Sequence, residues 1–153
     1  SSKDSDAMFK TLTSTSNAWA PFIIRLTLGL VMFPHGAQKA LGWFGGAGWS
    51  GTMGYFGGMG MPGVVVALII LGEFLGALGL ITGTLTRIAA GGFVIIQLGA
   101  VAMAHLPNGF FMNWMGNQKG EGIEYGLLAI AMAVSLVMAG AGRFSVDRAL
   151  SSN

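Results

Sequence analysis

Residues 63–81, GVVVALIILGEFLGALGLI, decide the architecture. The run carries a single charged side chain, Glu73, among apolar and small residues. Its length is close to the roughly 20 residues an α-helix needs to cross about 30 Å of hydrocarbon. A helix closes its backbone hydrogen bonds within itself, as a lipid solvent requires, and the run lacks the polar alternation of a barrel strand. Three further stretches read the same way: Trp19 to Leu41, Ile88 to Leu106 and Ile123 to Gly140. The expected fold is all-α, a four-helix transmembrane bundle whose even number of spans leaves both termini on one side.

Composition points the same way. Of 153 residues, 53% are hydrophobic and 9% charged, so no helix is left over to form the polar shell of a soluble domain. The formal charge of +2 comes with no basic run or interleaved aromatic patch, which excludes nucleic acid as a partner. The chain has no cysteine, so a disulfide framework, a CxxC redox pair, a thiolate nucleophile and cysteine-ligated clusters are all excluded.

Residues 1–18 are polar and read as a flexible tail, with Met8 a candidate natural start; 19–142 form the membrane domain and 143–153 a second tail. Nothing before Ala18 resembles the short apolar core and small-residue cleavage site of a signal peptide, and the apolar stretch that follows reaches at least Phe33 before Pro34, so it reads as a retained span. Lys3, Lys10, Arg87, Arg143 and Arg148 fall on the side of the termini, against Lys39 and Lys119 on the other. That bias predicts cytoplasmic termini and a multi-pass protein of the inner, plasma membrane. Trp19, Trp43, Trp49 and Trp114 fall at or beyond helix ends, where interfacial anchors belong.

Between the first two spans, Leu41 to Pro62 is rich in glycine and aromatic residues and reads as an interfacial lid, or as an entrance for a substrate or quinone. It spells neither a Walker A loop nor a GxGxxG fingerprint. Gly72, Gly76, Gly79 and Gly83 form a narrow stripe suited to close helix contact. In the last tail, Gly140 and Gly142 can end the fourth helix, Arg143 and Arg148 suit lipid headgroups, and Asp147 reads as half of a surface pair with an arginine.

Polar residues inside the spans carry the functional reading, because an unpaired charge is costly there. Arg25 and Glu73 are expected to pair between helices, structurally or in a proton, ion or ligand role, and Gln97 to hydrogen bond across the bundle. A second cluster lies at the outer end. His35 and Lys39, four residues apart with Gln38 beside them, share a helix face; His105 and Asn108 close the third span, and Glu124 and Tyr125 open the fourth. Alternating helix directions return these groups to one depth, where they form either a structural hydrogen-bond network or a pocket for a quinone or small anion. His35, His105 and Glu124 are three candidate metal ligands, but no HExxH or cysteine framework enforces a geometry, so no metal is assigned. Glu121 reads as a solvated loop charge.

In order along the chain stand RLTLGLVMFPHGAQKALGWFGG from Arg25, GTMGYFGGMGMP from Gly51, GEFLGALGLITGTLTRIAA from Gly72, HLPNGFF from His105, EGIEYGLL from Glu121 and GRFSVDRAL from Gly142. This ordered set, spread over roughly Ala18 to Leu150, resembles the DoxX family of small four-helix membrane proteins. The resemblance implies a four-helix bundle and puts Arg25, His35, Gly36, Gln38, Lys39, Glu73, Arg87, His105, Asn108, Glu124 and Tyr125 at family-like positions. It also implies membrane oxidoreductase systems, including thiosulfate and quinone chemistry, and oxidative-stress assemblies. Without cysteine, sulfur chemistry would need a partner protein or a route with no protein thiolate. The leading expectation is a membrane component of a respiratory or quinone-linked oxidoreductase system, whether or not the chain is itself the enzyme. Its expected partners are membrane lipids, a quinone or small anion, and a redox protein or a second copy. A carrier or permease for a small molecule or ion is the alternative, and a scaffold for soluble redox enzymes a third.

Overall fold

A computed structural model describes residues 2–151. Helix α1 spans Ser2–Thr13, α2 Trp19–Leu41, α3 Gly48–Gly58, α4 Gly63–Thr82, α5 Thr86–Ala100, α6 Glu124–Ala139 and α7 Val146–Ser151. Beyond Ala100, α5 runs on through a π-helical turn, Val101–His105, and a short 3₁₀ turn, Leu106–Asn108. The helices Trp19–Leu41, Gly63–Thr82 and Thr86–Asn108 are long and apolar enough to cross a membrane. Helix α6 is equally apolar but has 16 residues, about 24 Å at 1.5 Å per residue. The result is an all-α, multi-span, membrane-spanning bundle.

Its surface is that of a protein dissolved in lipid. Ile95, Leu128 and Met138 are 73%, 69% and 76% exposed, while the interior is packed from Leu28, Met32, Ala77, Leu80, Ala90, Phe93, Ala129, Ala133 and Leu136. Outward leucines and isoleucines cost nothing against acyl chains; small residues inside let the helix backbones approach.

The closest approach is between α2 and α4. A Cβ on Gly36 would stand 2.7 Å from Phe74 Cα and 2.8 Å from its nitrogen, closer than any real side chain comes. Gly29 faces Leu80 and Ile81 in the same way. These two contacts fix an antiparallel register in which residues near 29 lie beside 80 and those near 36 beside 74. Of the predicted glycine stripe on α4, Gly72 meets Ile96, Gly76 meets Phe93 and Gly79 meets Ala89, so it does pack closely, against α5.

The segment expected to be a flexible tail is helical over Ser2–Thr13, and Thr13 is buried. The chain that follows supplies partners to helix ends that would otherwise be bare. Thr15 Oγ1 donates to Ala139 O (3.3 Å) and accepts from Gly142 N (2.8 Å), Arg143 N donates to Ala18 O (3.1 Å), and Arg87 donates to Ser14 O (3.0 Å). The residues after α1 and those before α7 therefore meet at one end of the bundle, here called the terminus end.

Candidate functional site

Two buried groups of charge occupy opposite ends of the bundle. At the terminus end, Arg25 is fully buried and spends its guanidinium on main-chain carbonyls. Nε donates to Ala141 O (2.8 Å), Nη1 to Leu80 O (2.9 Å) and Ile81 O (2.8 Å), and Nη2 to Arg143 O (2.9 Å) and Phe144 O (2.6 Å). These acceptors are the last turn of α4 and the strand of chain after α6, whose carbonyls have no intrahelical partners. Nearby, the Asp147 carboxylate accepts from Leu85 N (2.7 Å) and Thr86 N (2.9 Å), capping α5 where its positive end invites a negative charge. This overturns the surface-pair reading of Asp147, which is 1% exposed. Leu85 takes a left-handed backbone (φ 47°) to present its N–H to that carboxylate.

The expected Arg25–Glu73 pair does not form. Glu73 pairs with Lys39 instead, Oε2 to Nζ 2.7 Å. The α2/α4 register is the reason: with Gly36 against Phe74, Lys39 reaches Glu73, whereas Arg25 faces Leu80 and Ile81, about 10 Å farther along α4.

Lys39 and Glu73 line a cavity of about 360 Å³ at the other end, within the range of small-ligand sites. Met32 and His35 from α2, Gln97 from α5, His105 from the π-helical turn and Tyr125 from α6 complete most of its polar wall. Met32, His35 and Lys39 recur at three- and four-residue spacing and so share one face of α2. Glu73 is 6% exposed and Gln97 8%. Tyr125 donates its hydroxyl to Met32 Sδ at 3.4 Å. Despite the short ion-pair distance, no well-directed hydrogen bond reaches Glu73 Oε2.

Of the seven residues expected to share a pocket, His35, Lys39, His105 and Tyr125 line the cavity; Gln38, Asn108 and Glu124 do not. Gln38 donates to Phe44 O (3.2 Å). Asn108 donates to Ala104 O (3.1 Å) and Glu121 O (3.2 Å). Glu124 Oε1 accepts from Met112 N (2.9 Å) and Trp114 Nε1 (3.2 Å), folding the 109–123 loop. Glu121, expected to be merely solvated, lines the cavity and accepts from Asn113 N through Oε2 (2.6 Å). Glu73 and Gln97 belong with this group, at what is here called the loop end, rather than with Arg25. The signal that could have found them was the Gly29 and Gly36 pair, which sets the register. Among the described residues, no three His, Cys, Asp or Glu side chains are grouped to hold a metal ion.

A DoxX family model matches residues 20–106, more than half of the chain. The match takes in Arg25, His35, Gln38, Lys39, Glu73, Gln97 and His105 and ends before Asn108, Glu124 and Tyr125. Comparison with curated proteins and with solved structures finds no match. On the family match, which spans the three longest apolar helices, this multi-pass integral membrane protein belongs to the DoxX family.

Proposed function

We propose that the protein is a membrane component of a quinone-linked oxidoreductase system and that the cavity at the loop end takes the ring of a small ligand or quinone. The reading rests on one observation: seven polar side chains, His35, Lys39, Glu73, Gln97, His105, Glu121 and Tyr125, line one cavity in an otherwise apolar bundle. A polar group buried in lipid without a directed hydrogen bond, as Glu73 Oε2 is here, is costly, and a ligand that supplies the missing bond offsets that cost. The cavity's chemistry suits a quinone: apolar wall for a ring, with few polar groups to orient its oxygens. When bound, a quinone would supply the electron-accepting chemistry, while Lys39 would donate to an oxygen and Glu73 would hold that ammonium in place. In this reading four helices span the membrane, α6 with help from its flanking chain, and the termini are cytoplasmic, following the basic residues at the terminus end.

The test is quinone-dependent electron transfer in membranes containing the parent protein, His35→Ala or Glu73→Gln, with folding checked for each. Turnover should fall by about tenfold or more in both variants. Unchanged turnover would remove the cavity from the reaction, and solute flux in proteoliposomes with no electron acceptor present would favour the carrier reading.

A further inference from the structure

Resting on the ring-binding reading above, the geometry points to the chemical form of the ligand: the cavity selects an aromatic compound that donates protons from hydroxyl groups, the dihydroxy form rather than the dicarbonyl form. The deciding group is His105. Its Nδ1 lies 3.0 Å from the backbone oxygen of Glu121. A carbonyl can only accept, so Nδ1 carries the hydrogen, and in the neutral ring Nε2 is left with a lone pair and no proton. The same Glu121 oxygen accepts from Asn108 Nδ2 at 3.2 Å, using its second lone pair and holding the loop against the helix end. The π-helical turn Val101–His105 sets the ring there; such wide turns are often found at functional sites. His105 lines the cavity through a ring whose remaining nitrogen is an acceptor.

A carboxylate lines the same space. The Glu73 carboxylate is more than nine-tenths buried and lines the cavity, and its Oε2 has the Lys39 ammonium beside it but no directed hydrogen bond. Tyr125, which could have donated to a ligand oxygen, is turned to Met32 Sδ. A hydroxyl at one end of a ring can donate to His105 Nε2. A hydroxyl at the other end can donate to Glu73 and accept from Lys39. A dicarbonyl can accept from Lys39 and from the Gln97 amide, but it sets one oxygen lone pair against that of Nε2 and leaves that acceptor unmet.

Equilibrium binding to the full chain in lipid nanodiscs decides the matter, with tetramethylhydroquinone under anaerobic reducing conditions, tetramethylquinone, and the dimethyl ether of the hydroquinone as probes. The hydroquinone should bind about tenfold or more tightly than the other two, the effect expected of one buried hydrogen bond. His105→Phe should bring it close to the ether while leaving the ether's own affinity unchanged, and His105→Gln, which retains an acceptor, should keep part of the preference. A quinone or ether that binds the parent as tightly as the hydroquinone overturns this inference and leaves the ring-binding cavity standing. Failure of all three probes to bind removes both.

Discussion

The two ends of the bundle bury charge by opposite rules. At the terminus end Arg25 is saturated: all its nitrogens donate, each acceptor is a carbonyl that the fold itself left bare, and Asp147 completes the knot by capping α5. At the loop end Lys39 and Glu73 touch, but Glu73 Oε2 receives no directed hydrogen bond and the cavity beside them is lined by further polar side chains. An intramembrane charge is thus not a functional sign by itself. What separates a brace from a binding site is whether its hydrogen-bonding capacity is already spent.

The contrast breaks most visibly at Arg25. Arg25→Ala strips the donors from five carbonyls in one step, and the expected cost is about 3–5 kcal/mol, read as lost folded protein in a denaturant titration in micelles. A loss below about 1 kcal/mol would mean that the knot is ornamental. Gly36→Leu should come next. The new side chain cannot fit against Phe74, so α2 and α4 must part, at a cost of about 1–3 kcal/mol and with ligand binding abolished; a variant as stable as the parent would refute the register. Glu73→Gln should have the smallest effect on stability, under about 1 kcal/mol, because Lys39 is 26% exposed and can be hydrated once its partner is neutral. Binding should nevertheless weaken by about tenfold, the signature of a group held for a ligand.

The sequence displays some of this molecule openly and hides the rest. Hydropathy alone marks the helices, with boundaries at Gly63 and Leu41 that the structure reproduces, because lipid imposes one solution on any long apolar run. The cluster of His35, Lys39, His105 and Tyr125 is legible too, since helices that alternate in direction return these positions to one depth. Pairing is harder. Arg25 and Glu73 look complementary by charge, but the helix register depends on where Gly29 and Gly36 let the backbones meet, and their spacing marks a close-contact face of α2 without saying which residues of α4 it meets. Glu124 and Asp147 are hidden for another reason: both serve backbone N–H groups, which have no signature in the side-chain alphabet. The helical run Ser2–Thr13 was masked by its polar residues, though Phe9 and Leu12 lie close to the face that carries buried Thr13.

The Arg25 knot also imposes an order on biosynthesis. Three of its five acceptors, Ala141, Arg143 and Phe144, together with the Asp147 that caps α5, leave the ribosome only after the apolar helices α2, α4, α5 and α6 have been made. Until then the arginine of the first long helix has only the Leu80 and Ile81 carbonyls to bond within the bundle, and its other donors must be met by headgroups or water. The nascent chain therefore threads these helices first and locks them afterwards, with the segment after α6 acting as the latch.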